Sequence, residues 1–214
     1  MIYDAPLIAV PRSAASRTVA SRGTKAATAA RRFNRELLAE CMQIAEVDDA
    51  GQDWSSTHYP GGFTSYNTMN QLHRTSSTFG ELETRLARHV ASLAKTLEFD
   101  LSRRKLAMTD CWVNVMPQFV AHGMHVHPIA TISGTYYVQT PRGCSKIKFE
   151  DPRLTSFMAA PPRKAGCSEA NRPFVYYPAE AGRVILFESW LRHEVSANQT
   201  KAERVSISFN FNWF

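Results

Sequence analysis

HGMHVHP, residues 122–128, followed by a distant histidine, His193 in FESWLRHEV (187–195), is the stretch on which the architecture turns. Residues two apart on a strand point to the same face of a sheet, so His125 and His127 can share one metal ion. His193, from a strand far away in the chain, would complete one triangular face of that ion. Three protein ligands on one face leave the remaining positions open for chemistry. His122 has the opposite parity and stays outside the set unless a bulge intervenes.

Composition bounds what surrounds this pattern. A chain of 214 residues with 44% hydrophobic and 11% aromatic content can bury a real core as one domain. No apolar run reaches membrane-spanning length, so no span is expected. Cys41, Cys111, Cys144 and Cys167 are scattered without a CxxC pair, which points to a reducing cytoplasm. Residues 5–35 hold seven of the 25 basic residues and no acid, leaving 18 bases against 19 acids elsewhere. The net charge of +6 therefore reflects one segment and not a basic nucleic-acid-binding face. That Ala/Ser/Arg-rich segment superficially resembles a transit peptide. It nevertheless follows a strand-like YDAPLIAVP (3–11) and runs into an amphipathic helix, so it is read as a solvated linker. A phosphate or nucleic-acid contact there stays open.

A first helix is expected over Thr24–Ala45. A polar, turn-rich stretch follows over 48–68, punctuated by Pro60, Gly61 and Gly62. A second helix has Thr78 and Glu81 as its capping box, with Leu82, Leu86, Val90, Leu93 and Leu97 on one face. From Lys105 the pattern turns to β, with strands expected at 108–116, 120–127, 132–140, 145–150, 183–188, 193–197 and 204–213. Short strands at regular spacing suit a sandwich or jelly roll. Residues 151–178, with five prolines, are expected to be irregular, and so a candidate lid. In the last strand Val205, Ile207, Phe209, Phe211 and Trp213 alternate with Arg204, Ser206, Ser208, Asn210 and Asn212. The apolar row can pack under the helices while the polar row lines a wet pocket, with one hairpin returning Arg204 beside His193.

WVNVMP (112–117), HVHP (125–128), SGTYYV (133–138), GRVILFESWLRH (182–193) and RVSISFNF (204–211) together resemble the 2-oxoglutarate- and iron(II)-dependent dioxygenase superfamily, in its prokaryotic H-x-H-P branch. The resemblance covers roughly 108–214. It implies a mainly β fold with flanking helices (α+β), a double-stranded β-helix (jelly-roll) core over 108–214 with an N-terminal helical segment, 1–107, packed on it. It also implies that His125, His127 and His193 hold Fe(II), and that Arg204 and Ser206 bind the distal carboxylate of the cosubstrate 2-oxoglutarate. A guanidinium fork suits a carboxylate better than lysine does. Tyr137 would support the same carboxylate, and Asn114 would approach the cosubstrate's other end. The implied activity is hydroxylation of an unknown primary substrate by dioxygen, releasing succinate and CO2.

Two departures stand out against that superfamily. His127 occupies the position of the usual carboxylate ligand, which leaves the iron one positive charge richer. Met116 stands where many relatives carry a tyrosine. A three-histidine iron dioxygenase of the thiol-dioxygenase kind, and a cupin-like metal-binding protein without turnover, remain as alternatives. His58, His73 and His89 are read as surface or core residues. Glu188 and Glu194, flanking His193, are read as candidates to orient an imidazole and not as ligands. Oligomeric state is not legible, with a homodimer open.

Overall fold

The computed structural model describes residues 1–7, 20–154 (20–27 as backbone) and 158–214. Four helices run over Ala20–Val47 (α1), Asp49–His58 (α2), Leu72–Thr75 (α3) and Ser77–Thr96 (α4). Ten strands run over Ile2–Pro6 (β1), Phe63–Thr64 (β2), Leu106–Met116 (β3), His122–His125 (β4), Ile132–Gln139 (β5), Ile147–Glu150 (β6), Phe174–Tyr177 (β7), Arg183–Glu188 (β8), His193–Val195 (β9) and Arg204–Trp213 (β10). They form two antiparallel sheets, a major one in the order β1-β8-β5-β10-β3-β2 and a minor one in the order β4-β9-β6-β7. This is the expected jelly-roll barrel with helices on one side.

Two apolar layers hold it together. Phe33, Leu37, Cys41 and Ile44 repeat at helical spacing on α1, and Phe79, Leu82, Leu86, Val90 and Leu93 do so on α4. Both stripes bury against the outer face of the major sheet, where Val205, Ile207, Phe209 and Phe211 of β10 are at most 2% exposed. The apolar row of the last strand therefore lies under the helices, except for the exposed Trp213 at its end, and its polar row is turned inward. Asn34 pins α1 to the sheet, donating to Val138 O at 2.8 Å and accepting from Tyr136 Oη at 2.7 Å. The second layer, with Met116, Tyr137, Ile147, Phe149, Ile185, Phe187 and Val195, fills the space between the sheets.

Gly134 in the SGTYYV strand is required by this packing. A Cβ there would sit 2.6 Å from both Leu186 Cδ2 and the Phe209 ring. Gly134→Ala should destabilise the fold by about 1–3 kcal/mol through overpacking, read as a lower urea midpoint at unchanged slope.

Several expectations need correction. The stretch 48–68 is not merely a turn-rich connector: Asp48 accepts from Gly51 N and starts α2. Ser76, not Thr78, caps α4, its hydroxyl accepting from Phe79 N. Residues 151–178 contain β7, paired with β6, so they are not irregular throughout. The strand expected at 120–127 is shorter and is interrupted by a register shift between His122 and His125. The link from His193 to Arg204 is no hairpin, because β9 lies in the minor sheet and β10 in the major one. Asn198, fully buried, shapes that crossover by donating to Met116 O and Ala202 O, both at 3.0 Å. Of the basic segment, Arg12 and Arg17 lie outside the described residues, as does the end of the strand read at 3–11.

Candidate metal centre and cosubstrate slot

The floor of the site is a ladder written in strand parity. On β3 the inward residues are Asp110, Trp112, Asn114 and Met116. Their partners on β10 are Asn210, Ser208, Ser206 and Arg204 respectively. On the other side of β10, Ser133, Thr135 and Tyr137 of β5 face Asn210, Ser208 and Ser206. Three adjacent strands thus put one polar column beside another between the sheets.

Over this floor His125, His127 and His193 converge, each offering a ring nitrogen within 4.8 Å of the others'. β4 and β9 pair His125 directly with His193, whose ring centroids lie 4.2 Å apart. His127 follows the end of β4 and is anchored by its backbone N–H to Ser189 O at 3.0 Å. Each Nδ1 is engaged: that of His125 with Gly123 O at 2.7 Å, and that of His193 with Leu191 O at 2.9 Å. That of His127 meets Asn210 Oδ1 at 2.7 Å and Ser133 Oγ at 2.8 Å. Carbonyl oxygens only accept, so these Nδ1 atoms carry the proton and Nε2 is left with the lone pair a metal needs. Burial lowers all three pKa values, to about 4 for His127 and about 2 for His193. The rings are therefore neutral at pH 7, as ligands must be.

The His127 contact extends further. Asn210 Nδ2 donates to Asp110 Oδ2 at 3.2 Å, which fixes the amide with its oxygen towards the imidazole. A carboxylate thus stands two hydrogen bonds behind the His127 imidazole. Asn210→Ala should lower metal affinity about 10- to 100-fold, the usual loss when an outer partner of a ligand is removed. Metal titration of the variant against the parent protein checks this.

His122, set aside on parity, is brought to the site by the bulge in β4. Its ring stacks on that of His125 at 4.5 Å and lies 5.1 Å from that of Tyr59. It is not among the three whose nitrogens converge. Burial, with the neighbouring His125, His127 and Arg204, lowers its pKa to about 3.

On the far side of the histidines is a slot lined by Asn114, Met116, Arg204 and Ser206. Arg204 is 2% exposed. Its Nη1 reaches Met116 Sδ at 3.4 Å and Ser206 Oγ at 3.3 Å, and Nε has no partner. Among the described residues no carboxylate pairs with it. Tyr137 Oη, Tyr59 Oη and Asn114 Oδ1 are likewise buried and unpartnered. Burial raises the Tyr137 pKa to about 12, so its hydroxyl remains a donor. An uncompensated buried guanidinium costs several kcal/mol, and a small dicarboxylate is the group that would satisfy the Arg204 guanidinium and the two tyrosine hydroxyls. The residues fit 2-oxoglutarate.

Asn114, Arg204 and Ser206, expected from the chain alone, therefore line one slot, Tyr137 packs against Arg204 with its ring centroid 5.0 Å from the guanidinium carbon, and the three histidines share one point. The sequence reading placed Asn210 only in the pocket-lining row, without a role, and missed Asp110, Trp54 and Tyr59. Parity on β3 and β10 was the available signal for Asn210 and Asp110; the others gave none beyond being aromatic in a polar stretch. None of the described residues of 151–178, the expected lid, lines the slot or the adjoining cleft. Walls at 54–66 and 126–130 border that cleft instead.

Residues 110–210 match the model of a family described as "Putative 2OG-Fe(II) oxygenase". Among solved structures, the chain superposes on the non-heme alpha ketoglutarate dependent epimerase SnoN from nogalamycin biosynthesis with a TM-score of 0.59 at 18% identity, covering 85% of this chain and 72% of that one. It superposes on a Pseudomonas putida prolyl-4-hydroxylase with a TM-score of 0.58 at 12% identity, covering 99% and 91%. For HygX from Streptomyces hygroscopicus, with nickel, 2-oxoglutarate and hygromycin B bound, the values are 0.58 and 12%, covering 99% and 82%. At these identities the likeness is one of fold. No curated protein matches the chain by sequence. The histidine cluster and the family match agree, and residues 110–210 are similar to the 2-oxoglutarate- and iron(II)-dependent oxygenase superfamily.

Proposed function

We infer that the chain is an Fe(II)- and 2-oxoglutarate-dependent dioxygenase that hydroxylates an organic substrate. Iron is held by Nε2 of His125, His127 and His193. Arg204 and Ser206 take the distal carboxylate of 2-oxoglutarate, Tyr137 donates to it, and Asn114 meets the other end. When bound, iron and 2-oxoglutarate together supply the activation of dioxygen and the oxidation of a C–H bond, with succinate and CO2 released.

The chain's own residues prepare that chemistry. Gly123, Leu191 and Asn210 hold the imidazoles in one tautomer and orientation. Three neutral ligands leave the full divalent charge to attract a dianion, which offsets the absence of a ligand carboxylate. Tyr59, whose buried hydroxyl is unpartnered and whose pKa burial raises, with nearby Arg204 offsetting only part of the rise, supplies the tyrosine contact that Met116 cannot. Met116 is the flexible side chain that yields to the cosubstrate, since the slot encloses only about 40 Å3. Phe149 and Phe187 shield His193 from water.

The observation that carries this reading is the buried, unpaired Arg204. A three-histidine thiol dioxygenase needs no 2-oxoglutarate, so dependence on that cosubstrate separates the two. Anaerobic titration of the iron-loaded protein with 2-oxoglutarate should produce a visible charge-transfer band, and oxygen uptake should require 2-oxoglutarate. Oxygen uptake that proceeds equally without it would transfer the assignment to the thiol-dioxygenase class. Among the described residues no helix is long and apolar enough to cross a membrane, and the four cysteines are free.

A further inference from the structure

The cleft on the open side of the histidines has a chemistry of its own. It encloses about 640 Å3, within the range of pockets that take a drug-sized organic molecule. His122, His125 and His127 line both it and the slot, so a molecule lying in the cleft meets the metal face opposite Arg204.

Its walls are aromatic. Trp54 lies flat on the His58 ring, with centroids 4.3 Å apart and planes 8° from parallel. Tyr66 meets Trp112 edge-on at 5.0 Å, and Trp112 lies 5.8 Å from the ligand-position imidazole of His127. Tyr66 is 47% exposed and Ile129 90%, an apolar lip at the mouth. Among the described residues no lysine or arginine lines this cleft. Asp110 is its carboxylate, half-buried beside the aromatic wall. Asp110 Oδ2 accepts from Thr109 at 2.8 Å and Asn210 at 3.2 Å, and no lysine or arginine pairs with it among the described residues. Aromatic faces carry the negative end of the ring quadrupole and attract cations. A carboxylate beside them adds the same preference and repels anions.

The geometry points to a primary substrate that is a ring-bearing cationic molecule, an amine or a guanidine, stacked on the Trp54–Tyr66–Trp112 wall with its charge towards Asp110. Phosphorylated and carboxylated compounds are disfavoured. This rests on the oxygenase reading only in taking the cleft as the substrate side of the metal.

Calorimetric titration of the full chain, without added metal or cosubstrate, tests it with tryptamine, tryptophol and indole-3-acetate. These share one ring and differ in tail charge. Tryptamine should bind about ten-fold more tightly than indole-3-acetate, with tryptophol between them. Asp110→Asn should shrink that difference to about two-fold or less, and Trp54→Ala should weaken all three probes. Equal affinities, a preference for indole-3-acetate, no binding of any probe, or a tryptamine preference that survives Asp110→Asn would each overturn the inference. Because neither iron nor 2-oxoglutarate is present, such a failure leaves the oxygenase reading standing. A missing charge-transfer band alongside intact tryptamine selectivity would remove that reading alone.

Discussion

Arg204→Ala should weaken 2-oxoglutarate binding by roughly 30-fold to several thousand-fold, the equivalent of about 2–5 kcal/mol for truncating one partner of a buried charge pair. Iron affinity should change by less than about three-fold, because Arg204 faces the slot and hydrogen-bonds none of the three histidines. The asymmetry separates cosubstrate capture from a general loss of the site. A companion change carries the opposite sign. Arg204→Met keeps the volume and removes a guanidinium that is 2% exposed and lacks a carboxylate partner. The protein without cosubstrate should then become more stable, by about 1–4 kcal/mol on the pattern of buried charges replaced by apolar groups. Thermal denaturation with and without 2-oxoglutarate reads both effects. A parallel fall in iron and 2-oxoglutarate affinity would contradict the role given to Arg204.

His193→Ala should abolish turnover and reduce iron affinity by more than the 10- to 100-fold lost with an outer partner. The ring is 4% exposed and boxed by Phe187 at 4.6 Å and His125 at 4.2 Å. No neighbouring side chain of the same chemistry can swing into its place except His122, which stacks on the far side of His125. His193→Gln, which keeps most of the volume, guards against misfolding as the cause, and circular dichroism checks that the barrel persists. A His193 variant that retained stoichiometric iron would place the metal elsewhere.

Much of this was legible before any coordinates, for a definite reason. Strand periodicity is local. Alternation predicts His125 and His127 on one side because they are two apart, although His127 lies just past the end of β4, and Arg204, Ser206, Ser208 and Asn210 share one face of β10 for that reason. The helical stripes of α1 and α4 were equally local, and they account for the apolar row of β10 being covered. Errors arose where a single residue changes parity or where a cap competes with its neighbours. The bulge in β4 returned His122 to the site, and Ser76 took the capping role given to Thr78. The proline-rich stretch concealed β7, whose pairing with β6 outweighs weak local signals.

The chain alone, through short-range alternation, determined which side chains could point inward and singled out three histidines and an arginine as the candidates for chemistry. Only the tertiary structure decided what stands behind and around them. Asp110 and Asn210 are a hundred residues apart and meet because β3 and β10 pair in one register. Trp54 joins the cleft because α2 folds beside β2. Such contacts depend on how separate segments register against one another, and that is set by the burial of the whole barrel, not by any stretch within it.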